Sequence, residues 1–125
     1  MDKNIIGAIY DALAARYNEG DLEGILDFYE PDAVFVPGVG EQVADRAGLR
    51  KAWQDYLDLG GKIAFEVRGA VQNGDIALTN NEHTIRGIDS EGNPFTITGR
   101  AHEVLRCQPD GRWLFIIDQA SIAAD

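Results

Sequence analysis

Positive charge is scarce in this sequence. Eleven lysines and arginines stand against 21 aspartates and glutamates, a formal net charge of −10 at pH 7. Nucleic acids and anionic membranes are held by concentrated Lys and Arg, so this balance argues against both as partners. It favours neutral or cationic ones. Cysteine is nearly absent. Cys107 stands alone, which excludes an intrachain disulfide. Long apolar runs are missing as well: a stretch such as "LFII" at 114–117 is far too short to span a bilayer. The opening "MDKNIIGAIYD" lacks the apolar core of a signal peptide, and a cytoplasmic location is expected.

Chemical motifs are equally sparse. Two histidines and no closely spaced ligand set make a metal site unexpected, and no cofactor is implied. No phosphate-binding or dinucleotide glycine pattern occurs. "QASIA" near the C-terminus lacks a nucleophile elbow. "DSEGN" at 89–93 has the look of a calcium loop, but Arg100 stands where the terminal glutamate belongs.

What is present is an ordinary globular balance, 45% hydrophobic and 26% charged residues, in a length that suits one domain over 1–125. Ile6, Ile9, Tyr10, Leu13 and Tyr17 recur at helical spacing. Gly20 suits the end of that helix, and Asp21 suits the N-cap of a second, carrying Leu22, Ile25, Leu26 and Tyr29. Pro31 stops it. A short strand, 33–36, follows. A third helix starts after Asp45, with Leu49, Ala52, Trp53 and Tyr56 on one side.

The rest reads as hairpin-linked strands, with turns at "NGD" 73–75, "DSEGN" 89–93 and "PDG" 109–111. Symmetric turns pair Gln72 with Ile76, Ile88 with Pro94 and Gln108 with Arg112. One face is then mostly apolar on every strand. It includes Ile63, Phe65, Val67, Gly69, Val71, Ile85, Ile97, Leu105, Phe115 and Ile117. The other face is mixed, with Arg100, His102 and Asp118 on it, and suits partial cover by a second subunit.

Five polar side chains interrupt the apolar face: Thr79, Asn81, His83, Glu103 and Gln119. In this register Thr79 is opposite Glu103, Asn81 opposite Ala101, and Ala101 opposite Gln119. His83 is opposite Gly99. Apolar neighbours Leu105 and Ile117 would push Glu103 toward its neutral form, in which it can donate a hydrogen bond to a ligand oxygen. A satisfied structural network around Glu103 remains the other reading. Tyr10 and Tyr17 lie on the helix face that covers the sheet, where their hydroxyls could reach the patch or simply complete the core. Trp53 and Tyr56 read as core. Leu13, Trp53, Phe65 and Ile117 are the apolar candidates for a pocket wall, beside Thr79, Asn81 and Gln119.

The block "GDLEGILDFYEPDAVF" and the closing "PDGRW" resemble the nuclear transport factor 2-like superfamily, which includes ketosteroid isomerase and SnoaL-like polyketide cyclases. The resemblance implies an α+β fold, a cone-shaped curved mixed sheet wrapped around N-terminal helices, or cystatin-like α+β barrel, with a pocket inside. It also implies a homodimer through the outer sheet face. Ketosteroid isomerase uses a first-helix tyrosine, an aspartate base at the end of the first strand and a protonated acid on the penultimate strand. The matching positions here are Leu13, Pro37 and Glu103, so only the acid is retained. Steroid isomerisation is not expected, since a missing base costs about 10²–10⁴-fold in rate. Tyr17 could supply a relocated phenol, and His83 or Asp118 a proton carrier, His83 ahead of Asp118 because parity puts Asp118 on the outer face; Glu103, Tyr17 and His83 are the catalytic candidates. The expected function is a pocket for a small apolar carbonyl compound, serving an isomerase, cyclase or lyase; a non-catalytic dimeric binding or interaction module is the alternative.

Overall fold

A computed structural model describes residues 2–38 and 40–121. The elements run α1 (Lys3–Asn18), α2 (Leu22–Leu26), β1 (Tyr29–Val36), α3 (Arg46–Asp58), β2 (Lys62–Asn73), β3 (Ile76–Ile88), β4 (Pro94–Cys107) and β5 (Trp113–Ser121). The five strands form one mixed sheet in the order β1-β5-β4-β3-β2, with β1 parallel to β5 and every other pair antiparallel. The fold is α+β, a curved sheet closed over N-terminal helices.

The helices begin where side-chain caps satisfy their free N–H groups. The carboxylates of Asp2, Asp21 and Asp45 accept from the backbone N–H of Asn4, Gly24 and Gly48. Beyond α1, Gly20 sits at φ +72°, a left-handed turn open to glycine at little cost. The buried stripe of α1, Ile6, Tyr10, Leu13 and Tyr17, packs on the sheet with Ile63, Ile85, Leu105 and Phe115. Each such side chain contributes about 1.5–3 kcal/mol by leaving water.

Tyr29 does not extend α2; it opens β1. The chain then bulges between Tyr29, beside Phe115, and Val34, beside Ile117. Pro31 sits in that bulge on the sheet's edge strand, where a missing N–H costs no ladder bond.

Two further bulges correct the register read from the sequence. On β2, Val67 pairs with Asn81 but Gly69 pairs with Asn80, leaving Arg68 as an extra residue. Ala70, not Gly69 or Val71, therefore shares the inner face with Thr79, and Val71 is 68% exposed. The β2–β3 turn is tighter by one residue than a symmetric "NGD", with Gln72 opposite Ala77. On β5, Leu105 pairs with Phe115 but Val104 pairs with Ile117, so Ile116 is extra. Past that point every β5 side chain changes face. Asp118 pairs with Glu103 and turns inward, while Ile117 and Gln119 turn outward. The β3–β4 pairing follows the expected register throughout, with Thr79 opposite Glu103, Asn81 opposite Ala101 and His83 opposite Gly99.

Candidate functional site

The polar patch lies under α1, where Tyr10 reaches down from the helix into the sheet. Its O–H donates to Glu103 Oε1. Its oxygen lies 2.7 Å from Thr79 Oγ1 and accepts from Asn81 Nδ2 at 3.2 Å. Tyr10 has one proton and gives it to Glu103, so the Thr79 hydroxyl is the donor to Tyr10. Asn81 Nδ2 also donates to Glu103 Oε1, at 2.7 Å. That oxygen thus accepts twice, which leaves the second carboxyl oxygen of Glu103 to carry a proton.

Directly across the β4–β5 ladder stands Asp118, near enough for each buried carboxyl to shift the protonation of the other. Burial raises the Glu103 carboxyl well above the usual carboxylate range, and the Asp118 charge raises it further. Burial also raises Asp118, while its bonds from Tyr29 and Glu103 pull back down. The opposed effects make Glu103 the proton holder and Asp118 the first to ionise. Tyr29 donates its O–H to Asp118 Oδ2 at 2.5 Å, and Trp53 Nε1–H donates to the Tyr29 oxygen at 3.1 Å. Burial raises both phenols, Tyr10 and Tyr29, so both stay protonated donors.

Above this floor is a cavity of about 50 Å³. Asn81, Glu103 and Asp118 form its polar base. Phe35, Trp53, Tyr56, Phe65, Ile63 and Ile85 supply most of the wall, with His83 to one side. The volume admits a few water-sized groups and falls far short of the roughly 300–1,000 Å³ of a site for a drug-sized ligand. His83 is held edge-on to Tyr56 and Phe65, with ring centroids 6.0 and 6.3 Å away. A Cβ on Gly99 would fall 2.6 Å from His83 Cε1, so the imidazole occupies the space a side chain at 99 would need. Burial lowers the His83 pKa, which keeps the ring neutral near pH 7.

Glu103, His83, Asn81, Phe65 and Trp53 are thus brought together at the cavity. Thr79 is buried behind them and acts on the site through Tyr10. Leu13 is core and lies outside the lining. Tyr17 does not reach the patch: its hydroxyl donates to the Tyr56 carbonyl at 2.8 Å, and burial pushes its pKa up to about 12. Ile117, 39% exposed, and Gln119 face outward because of the β5 bulge. Pro37 is exposed and does not line the cavity. Sequence reasoning missed Asp118 as a floor residue and Tyr29 as its partner. The only sequence signals for either were a polar residue in the "LFIID" run and an aromatic just ahead of Pro31.

The sequence model of the SnoaL-like domain matches residues 10–116, from Tyr10 in α1 into the first half of β5. The chain belongs to the SnoaL-like domain family. No curated protein matches it in sequence. Among solved structures, it is similar to a ketosteroid isomerase-like protein from Erwinia carotovora, with 18% identity, full coverage of both chains and a TM-score of 0.76. It is also similar to a nuclear transport factor 2-like protein of unknown function from Shewanella oneidensis. There the identity is 16%, the TM-score 0.77, and 97% and 99% of the two chains are covered. A conserved protein from Planctomyces limnophilus aligns with TM-score 0.82 at 15% identity, over 98% and 96% of the chains. At these identities the likeness establishes the nuclear transport factor 2-like cone. The SnoaL-like chain also has no helix among its described residues long and apolar enough to cross a membrane.

Proposed function

We propose that this SnoaL-like protein binds a small, uncharged, largely apolar carbonyl compound in the cone and moves a proton next to the carbonyl. The observation that carries the reading is the carboxyl pair: Glu103 and Asp118 are cross-strand partners and both line the cavity. Neutral Glu103 keeps its proton and directs it toward Asp118 when the cavity is empty. A ligand carbonyl competes for that proton. Once Glu103 donates to the carbonyl oxygen, Asp118 is released to accept a proton from the adjacent carbon. A carbonyl oxygen and a proton on the adjacent carbon, three bonds apart, suit two carboxyls that sit side by side. Asp118 thus takes the part of the base that Pro37 cannot play, and isomerase, cyclase and lyase chemistry all begin with such a step.

The test is hydrogen exchange of a small ketone, such as acetone, in D₂O, followed by proton NMR. Exchange above background is expected in the wild type, with a loss of about 10²-fold or more in Asp118→Asn. Exchange untouched by that change removes the assignment.

A second reading is a non-catalytic module. Its support is that no buried polar side-chain atom among the described residues lacks a hydrogen-bond partner, the condition of a purely structural network. Wild-type protein that binds the ketone without exchanging its protons would favour it. In either case the protein is a homodimer through the outer sheet face. Leu78 and Ile117 are exposed on that face, and farther along it the Glu82 carboxylate bridges Arg68 and Arg100. Free Cys107 suits a reducing cytoplasm. Sedimentation as a monomer would exclude the dimer.

A further inference from the structure

We propose that Tyr29 is a positioning residue for Asp118: held by Trp53, it fixes which Asp118 oxygen is free to react. The proposal rests on Asp118 as the proton acceptor of this site.

The argument is one of donor and acceptor capacity. The Trp53 indole N–H can only donate. It donates to the Tyr29 oxygen at 3.1 Å, from a helix on the other side of the cavity wall. The phenol has a single proton, and with its oxygen already accepting from Trp53 that proton is directed to Asp118 Oδ2 at 2.5 Å. All three side chains are buried. Oδ2 is therefore occupied by a permanent donor that belongs to the protein, while the Glu103 proton on the pair is one a ligand oxygen can draw away. Oδ1 is the Asp118 oxygen that Tyr29 leaves free for a reacting proton. Tyr29 also locks the carboxylate plane, since rotation would break the bond to β1.

Trp53 lines the cavity but Tyr29 does not. A change confined to the Tyr29 hydroxyl therefore leaves the ligand's contacts in place and alters only Asp118. The groups facing Asp118 are Tyr29 from β1, Glu103 from β4, Tyr10 from α1, and Trp53 and Tyr56 from α3. Asn81 and neutral His83 share the cavity from β3. None of these carries a positive charge at neutral pH, so hydrogen bonds alone favour the Asp118 carboxylate, and Tyr29 supplies the one that does not depend on Glu103.

The experiment compares wild type, Tyr29→Phe and Trp53→Phe in the ketone exchange assay across pH, together with ¹³C NMR titration of the Asp118 carboxyl. In Tyr29→Phe the acidic limb of the profile and the Asp118 titration should both move to higher pH. kcat should fall by up to about tenfold on the acidic side, with KM unchanged. Trp53→Phe, which keeps a wall ring but frees the phenol to turn, should shift both in the same direction by less. An unshifted Asp118 titration in Tyr29→Phe overturns the proposal, as does a change in KM alone. If Tyr29→Phe does not fold, an unshifted titration in Trp53→Phe overturns it. A wild type that exchanges nothing sinks the acid–base reading instead, and the NMR titration still decides whether Tyr29 sets Asp118.

Discussion

Glu103 and Asp118 lie directly opposite each other on β4 and β5, both at the base of an aromatic-walled cavity. Two carboxyls in one buried site cannot both ionise cheaply. The rest of the patch answers that constraint: Tyr10 and Asn81 saturate one oxygen of Glu103, and Tyr29 takes one of Asp118.

Shape and hydrogen bonding at Glu103 should therefore separate. Glu103→Gln keeps an acceptor for Tyr10 and Asn81 and a donor for Asp118, so its stability should stay within about 1 kcal/mol of wild type. Glu103→Ala leaves Tyr10, Asn81 and Asp118 without their partner and opens a hole, at a cost of about 3–5 kcal/mol. Urea denaturation measures both. Equal losses in the two variants would mean the network contributes only volume.

Stability should fall as pH rises, through this pair. Both carboxyls hold protons more tightly folded than unfolded, where carboxylates titrate near ~4. Between the unfolded value and the raised folded ones, the native state binds more protons, and unfolding free energy declines with pH. The contribution is complete at the acid end and is lost as pH climbs through the folded values. Exposed ion pairs run the other way: Arg50 lowers Glu23, and Arg112 lowers Asp110. The decisive quantity is thus the difference between wild type and Glu103→Gln in thermal midpoint across pH. A difference flat with pH would show that Glu103 is ionised like a surface carboxylate.

The seat of His83 is set by the absence of a side chain at 99. Gly99→Ala places a methyl within van der Waals distance of the imidazole and should push the ring off Tyr56 and Phe65 into the cavity. The expected cost is about 1–3 kcal/mol, recovered in large part in Gly99→Ala/His83→Ala. Unchanged imidazole and Tyr56 ring shifts in the NMR spectrum of Gly99→Ala would contradict this packing.

Charge should decide which ligands enter. Among the described residues no Lys or Arg lines the cavity, and its base carries an acid pair. Acetone should bind at least about tenfold more tightly than the nearly isosteric acetate at pH 8, by calorimetric titration, because a second negative charge would sit in a low-dielectric site with no counter-charge. Equal affinities would point to a cationic group in the site.

Much of the fold was legible without coordinates. The stripe of α1, the aspartate caps of α1's successors, the glycine turns and the β3–β4 register all follow from local periodicity and backbone chemistry, which act over a few residues. Those signals also put Thr79, Asn81, His83 and Glu103 on one face. The bulge at Arg68 had a hint in Gly69 beside it. The one at Ile116 had none, because "WLFIID" alternates no worse for being misread.

The sequence by itself determined an acidic chain of helices followed by hairpin-linked strands, with an apolar face and an acid at 103 on it, since composition and side-chain period impose these wherever the chain goes; the cone was implied by the resemblance to the nuclear transport factor 2-like superfamily. Only the tertiary structure decided that Asp118 and Tyr29 join that acid while Gln119, Ile117 and Tyr17 do not. One extra residue in β5 reverses every side chain after it, and the demand that produces the extra residue is the curvature of a sheet closing on a helix, which no short stretch of sequence contains.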